Sequence, residues 1–296
     1  MEQKKQAGNS QLIKALEPYL YLLPVLLLFG IFTFYPLIRT IVMSLSAVNS
    51  MGIVVKFTGL SNFANLFSTG QFWKDLVTTV KLSVILVPLE IITGVLLALL
   101  ADRRDRKKGN PIRVIFALPM SVSYACGSLI WLFIFNPTTG LMNHLLGRHV
   151  DWIGDANNAL LMIVITTCWL TAGMNFVYAI SGLQSVPDEL YECSRLEGAG
   201  YLQTLCHITL PMISPTLFYL LIINTINAFQ TFTQIRLMTQ GGPGGSTHVL
   251  AYSIYDSAFI SNRWGNACAQ SVIFFLILLV ISVLQFRFER KGVFYQ

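Results

Sequence analysis

Charge is what this chain has least of. Lys, Arg, Asp and Glu make up 11% of its 296 residues, while 54% are hydrophobic. A soluble domain carries about 25% charged residues. One or two water-soluble domains of this length would lack the charge to cover them, so the deficit points to a membrane protein. Gly-Lys dipeptides are absent altogether. A phosphate-binding loop of the form G-x-x-x-x-G-K-[ST] needs one, which excludes that route to nucleotide hydrolysis. Cysteine pairs at metal or redox spacing are missing too: Cys126, Cys168, Cys193, Cys206 and Cys268 form no CxxC. An odd, scattered set reads as small buried hydrophobes, with no disulfide frame and no metal site. None of His144, His149, His207 and His248 has a cysteine or carboxylate at ligand spacing, and HExxH and GxSxG do not occur. Nothing here predicts an enzyme, a metal or a cofactor. His144 and His149 are expected on the surface of an external loop.

What the chain has in abundance is long apolar runs. A transmembrane helix needs about 20 mainly apolar residues, and six stretches qualify: Tyr19 to Leu45, Leu76 to Ala101, Ile112 to Phe135, Ala159 to Leu183, Pro211 to Ile235 and Ala267 to Phe288. The first is too long for the apolar region of a cleaved signal peptide and has no small-residue cleavage site behind it. The predicted architecture is therefore an all-α integral membrane protein of six spans over residues 19–288, flanked by segments 1–18 and 289–296.

The net charge of +6 does not point to nucleic acid, because the basic residues sit between the apolar runs. They cluster at Lys4, Lys5 and Lys14, at Arg103, Arg104, Arg106, Lys107, Lys108 and Arg113, and at Arg287, Arg290 and Lys291. Such clusters can be plain solvated faces. Their alternation with gaps poor in basic residues (46–75, 136–158, 236–266) instead fits the positive-inside rule, with both termini in the cytoplasm.

That topology places one polar interruption, "ECSRLEGAGYLQTLCHITLP" from Glu192, in the cytoplasm between the fourth and fifth spans. The loop, 185–211, reads as a short helix. Ser185 and Asp188 fit a capping box, and Pro187 fits the first turn. Asp188 and Glu189 suit the positive end of the helix dipole. Val186, Leu190, Cys193 and Leu196 fall near one face, and Gly198 and Gly200 end the helix. Pro211 then opens the fifth span. On its physics alone this is either an ordinary loop or a docking element for a soluble partner.

The residues Glu192, Cys193, Ser194 and Gly198, followed after nine residues by Ile208 and then Leu210 and Pro211, resemble the "EAA" signature of permease subunits of binding-protein-dependent ABC importers. The two alanines of the signature are Cys193 and Ser194 here, both small. "FTGLSNFANLF" from Phe57, "FNPTTGLMN" from Phe135, "TQGGPGGSTHVLAYSIYDSAF" from Thr239 and the ending "AQSVIFFLILLVISVLQFRF" resemble the carbohydrate-uptake branch of that family. Length and the C-terminal third are most similar to the first permease subunit of glycerol-3-phosphate importers. The resemblance implies a bacterial inner-membrane protein importing a sugar or sugar-like solute. It implies as partners a second permease, homologous but a different chain, a cytoplasmic ATPase dimer that binds the ATP, and an extracytoplasmic solute-binding protein. In such a family the 185–211 loop transmits the ATPase's motion to the spans.

A substrate path needs polar residues within the spans. Thr167, Thr171, Asn175 and Tyr178 are spaced 4, 4 and 3, and Asn224, Asn227, Thr231 and Gln234 are spaced 3, 4 and 3. Each set is predicted to form one helix face. Hydroxyls and amides beside an aromatic suit a sugar or polyol, but the same groups also join helices to one another inside a membrane. Neither set holds a cation, which favours a neutral sugar over a phosphate unless Arg39 or a partner supplies one. An ion-coupled secondary transporter is the competing class. It would need an ionisable group at the midplane, and only Glu90 offers one.

Overall fold

The apolar runs fold as helices, because a backbone in lipid must satisfy its own hydrogen bonds. The computed structural model describes residues 19, 21–102 and 111–292. The basic residues Lys4, Lys5, Lys14 and Arg103, Arg104, Arg106, Lys107 and Lys108, the side chains of Arg290 and Lys291, and segments 1–18 (Tyr19 excepted) and 293–296 lie outside those described.

Two compact units divide the described residues: one holds those up to Leu66 with Ser257–Ile273, the other Phe67–Asp256 with those from Phe274 onward. In the first unit, α1 (Tyr21–Ser44) has none of its apolar window buried. A two-stranded antiparallel hairpin follows, β1 (Ser46–Val48) and β2 (Val54–Phe57), with Ser46 opposite Phe57. It is a small exception in a fold that is otherwise helical, as expected. Asn49 Oδ1 accepts from the N–H groups of Met51 and Ile53 at 3.1 and 2.9 Å, and Gly52 at φ 77° turns the chain. Branched Val48, Val54 and Val55 suit a pleated pair. Helix α2 (Ser61–Ser68) is tied to the hairpin's entry by Asn62 Nδ2, which donates to the carbonyls of Ser44 and Ser46 at 2.8 and 2.9 Å.

The second unit begins with α3 (Gly70–Ala101). Then come α4 (Pro111–Ala117), α5 (Tyr124–Ile134), α6 (Leu141–Leu146) and α7 (Ala156–Ser185). After them run α8 (Asp188–Leu196), α9 (Tyr201–Met212, with a π turn at Leu205–Thr209), α10 (Ser214–Phe229), α11 (Thr233–Met238) and α12 (Leu250–Tyr255). The last helix, α13 (Trp264–Gly292), belongs to the first unit up to Ile273 and to the second from Phe274.

Helix α7 is the centre of this unit: 67% of its apolar window is buried, against 33% for α3. One apolar cluster joins Leu82 and Leu86 of α3 to Met162 and Ile163 of α7, Phe135 and Trp152. A second joins Ala98 of α3 to Phe176, Ala179 and Leu183 of α7 and to Leu220 of α10. The two long helices touch closely at Gly94, where an added Cβ would lie 2.6 Å from Asn175 Cβ.

Four helices cross-sized on their own (Tyr21–Ser44, Gly70–Ala101, Ala156–Ser185 and Trp264–Glu289) agree with four of the expected runs to within a few residues. The third and fifth runs are broken. Pro111–Ser121 and Tyr124–Ile134 meet at 98°, and Tyr201–Met212 and Ser214–Met238 at 67°. At the first break a 3-10 turn, Leu118–Ser121, gives way to extended Val122, and Ser123 caps α5 by accepting from Cys126 N–H at 3.2 Å. The break rests on α7 at Gly173, whose added Cβ would lie 2.8 Å from Met120 N. At the second, Pro215 lies in the first turn of α10, where its missing N–H is tolerated.

All five cysteines are free thiols, but Cys126, Cys193 and Cys206 are exposed. The expectation that all are buried fails because these three lie on the exposed faces of their helices.

Candidate functional site

The polar interruption is built as two helices, α8 and α9. α7 ends at Ser185, and Val186 and Pro187 run extended into α8. Asp188 and Glu189 occupy the first turn of α8 and Arg195 the last, so the charges complement the helix dipole at both ends. The predicted capping box does not form. Ser185 turns its hydroxyl back to the Gly182 carbonyl at 2.8 Å, and Pro187 stands at the N-cap without a side-chain bond. Ser185 still belongs to α7, two residues before the N-cap of the new helix.

The C-terminus of α8 has a Schellman motif. Ala199 N–H donates to the Ser194 carbonyl at 2.9 Å and Gly198 N–H to the Arg195 carbonyl at 3.1 Å. Gly198 holds φ 75°. Gly200 does not share that role: it is extended and precedes α9. Pro211 lies inside the last turn of α9 rather than at the start of a span.

Two α8 side chains face inward. Ser194 is 4% exposed; its hydroxyl donates to the Tyr191 carbonyl at 3.0 Å and accepts from Thr204 at 3.4 Å. Tyr191 Oη meets Thr209 Oγ1 at 3.1 Å. The expected apolar face is therefore rotated. Val186 is buried, but Leu190, Cys193 and Leu196 are exposed, Leu196 at 89%. The inward positions are those that bond to α9, Ser194 to Thr204 and Tyr191 to Thr209. Glu192 and Gly198 are exposed as well, while Ile208, Leu210 and Pro211 are half-buried in α9. Tyr201 and Leu202 complete an exposed patch. A cavity of about 360 Å³ opens between α8, α9 and the end of α3, lined by Leu99, Asp102, Tyr191, Ser194, Arg195 and Thr204 among others.

The polar residues of the fourth run do share a side of α7, and it is turned inward. Thr167, Thr171 and Asn175 are buried. The Thr171 hydroxyl lies 3.1 Å from Glu90 Oε1 on α3 and 3.0 Å from the Thr167 carbonyl. Asn175 Oδ1 accepts from Asn224 Nδ2 on α10 at 3.0 Å. Tyr178 is half-buried and pairs with Tyr219 of α10, hydroxyls 3.4 Å and ring centroids 5.0 Å apart. The residues expected on one face of the fifth run are divided. α10 stops at Phe229 and α11 starts at Thr233, so the helical phase is lost between Asn227 and Gln234. Asn224, Thr231 and Gln234 are buried, and Asn227 is exposed.

Sequence spacing missed one pair altogether. His248, in the loop between α11 and α12, places Nδ1 2.8 Å from Oδ1 of the fully buried Asp75 of α3. The two are 173 residues apart, so no local pattern announces them.

Known proteins share this architecture. A chain from the structure of a bacterial ABC transporter involved in the import of the acidic polysaccharide alginate matches with a TM-score of 0.81 at 23% identity, over 98% of this chain and 99% of that one. The sn-glycerol-3-phosphate transport system permease protein UgpA of Agrobacterium fabrum is 35% identical over 282 residues, covering 94% of this chain and 96% of its own. The probable ABC transporter permease protein YurN of Bacillus subtilis is 34% identical over 93% of this chain and 96% of its own. The model of a family described as binding-protein-dependent transport system inner membrane component matches residues 90–291. This chain belongs to that family of inner-membrane transport components.

Proposed function

We propose that the chain is a permease subunit of an ABC importer for a sugar or sugar-like solute: an oligosaccharide, a monosaccharide or glycerol-3-phosphate. It spans the membrane six times, each bent pair forming one span, with both termini in the cytoplasm. A binding protein delivers the solute outside, a homologous second permease completes the path, and a separate ATPase dimer drives it. The substrate class follows the names of the relatives, UgpA and the alginate importer.

The observation that carries the reading is α8: a short helix, capped at its C-terminus, that interrupts the apolar spans and exposes Leu190, Glu192, Cys193 and Leu196 beside Tyr201 and Leu202. A helix fixed by such a cap transmits force where a loop would yield. In this reading Glu192 and Cys193 meet the ATPase, and Ser194 holds α8 against α9. Gly198 sets the turn, and Ile208, Leu210 and Pro211 pass the motion to α10. Within the membrane, Asn227 of α10 offers a polar group on an exposed face, and Tyr178 with Tyr219 offers an aromatic pair suited to the apolar face of a sugar ring. Thr167, Thr171, Asn175 and Asn224 hold α3, α7 and α10 together behind that face, with Thr231 and Gln234 buried at its end.

Reconstitution in liposomes with the partner subunits tests the reading. Uptake of radiolabelled sugar, polyol or glycerol phosphate that requires ATP and loaded binding protein supports it. A complex that hydrolyses ATP without moving any of these solutes refutes the substrate class.

A further inference from the structure

Asp75 lies near the start of α3 and is fully buried. A buried carboxylate is costly unless it is held by partners. Its Oδ1 accepts from Gln71 Nε2 at 2.7 Å and meets His248 Nδ1 at 2.8 Å. One turn further, the Thr79 hydroxyl donates to the Asp75 carbonyl at 2.6 Å, and its oxygen accepts from Leu250 N–H at 2.8 Å. Helix α3 thus grips the chain on both sides of Val249, which is itself 1% exposed.

The loop held this way is closed on itself. Thr239 and Thr247 meet through their hydroxyl oxygens at 2.7 Å, and Thr247 donates to the Gly242 carbonyl at 2.8 Å. Gly241, at φ 83°, lets the backbone pass so near that an added Cβ would lie 2.8 Å from His248 Cδ2 and 3.0 Å from Tyr252 Cε1. Gln240, Gly244 and Gly245 form its exposed part. A loop so braced moves with the helix that holds it.

The other end of α3 meets the polar module. Leu99 and Asp102 line the cavity shared with Tyr191, Ser194 and Arg195 of α8, and Arg113 Nε donates to the Ala101 carbonyl at 3.4 Å. Between the two ends α3 is a continuous helix of 32 residues with Pro88 inside it, about 48 Å along its path at 1.5 Å per residue. Coupling over such distances is carried by packed side chains, hydrogen-bond networks and secondary elements with two discrete arrangements.

We propose that Asp75, Thr79 and His248 are positioning residues that clamp the outer loop to α3, so that α3 carries the arrival of loaded binding protein to the α8 module. The proposal rests on the reading above for the identity of the two partners.

The test uses the complete reconstituted transporter and measures ATP hydrolysis against the concentration of loaded binding protein. His248→Asn puts an amide N–H one bond from Cγ, where Nδ1 stands, and keeps the donor to Asp75. His248→Gln moves that donor one bond away, and His248→Leu removes it. The expected result is a half-maximal binding-protein concentration raised about tenfold in the Leu and Gln variants, within the usual range of coupling between sites. In the Asn variant it returns to near wild type. Hydrolysis without binding protein and the amount of co-purified ATPase stay unchanged in all three. Thr79→Val keeps the branched shape and removes both the acceptor for Leu250 N–H and the donor to the Asp75 carbonyl; it is expected to shift the curve in the same direction and serves if a His248 variant does not assemble. An unshifted curve in His248→Leu or, failing its assembly, in Thr79→Val overturns the proposal. So does an equal shift in Leu, Gln and Asn, which would assign the effect to ring packing on Tyr252. If wild type itself does not respond to any loaded binding protein, the fault lies with the proposed function and not with the clamp.

Discussion

Replacing Gly198 gives the sharpest handle on the α8 module, because the structure separates two costs there. The residue holds φ 75°, and a side chain in the left-handed region costs about 1–2 kcal/mol. An ideal Cβ at Gly198 would meet nothing within 4 Å among the described residues, so against those residues the cost is conformational alone. That free energy lowers the population of the formed cap by a factor of about 5–30. It also loosens the bonds from Ala199 and Gly198 N–H to the carbonyls of Ser194 and Arg195. Asparagine tolerates this region better than alanine, and a β-branched residue tolerates it least. The expected order of damage is therefore Gly198→Asn, then Gly198→Ala, then Gly198→Val. The assay is co-purification of the ATPase followed by hydrolysis stimulated by loaded binding protein in liposomes; membrane insertion is expected to be unchanged, since Gly198 lies outside every span. An order with Asn worse than Ala would refute the conformational reasoning and point to direct packing against the ATPase, where size decides. Full stimulation in all three would make the segment a passive linker.

Other outcomes follow from the same contacts. Glu192→Lys reverses an exposed charge on α8 and is expected to weaken ATPase co-purification without changing membrane insertion. Gly94→Val forces a side chain against the Cβ and backbone carbon of Asn175, 2.6 and 2.9 Å from the ideal Cβ; overpacking of this kind costs about 1–3 kcal/mol and should lower the unfolding temperature in detergent. Asn175→Leu and Asn227→Leu should both impair uptake with the complex assembled, but by different routes. The first breaks the bond to Asn224 and lowers thermal stability, a loss of about 0.6 kcal/mol for an average interhelical bond. The second leaves stability alone and changes the concentration dependence of uptake. Glu90→Gln keeps an acceptor for Thr171 and removes the ionisable group; ATP-driven uptake should persist, and its loss would revive an ion-coupled mechanism.

The long apolar runs were legible because burial in lipid is a property of about 20 consecutive residues: Ala159 to Leu183 was expected and Ala156–Ser185 is found. The breaks at Leu118–Ser123 and Ile213 were not, because they depend on how α7 receives them, as Gly173 receives Met120. Within the module, Gly198 announced its turn, since glycine alone enters φ 75° without cost. Ser185 misled, because its hydroxyl had a nearer carbonyl at Gly182. The inward face of α8 was misread for a related reason: hydropathy favoured Leu190 and Leu196, whereas hydrogen bonding through Tyr191 and Ser194 chose the orientation. The two polar sets kept their spacing, yet the chain break after Phe229 divided one of them. Asp75 and His248 left no local trace at all.

The central claim is that this chain moves solute only as a relay between a binding protein and an ATPase. Uptake into liposomes holding the full complex, measured with ATP alone, with ATP and vanadate, and with ATP and a protonophore, tests it most directly. Uptake is expected to require loaded binding protein, to stop with vanadate and to survive the protonophore. Uptake that continues in vanadate and collapses with the protonophore would contradict it.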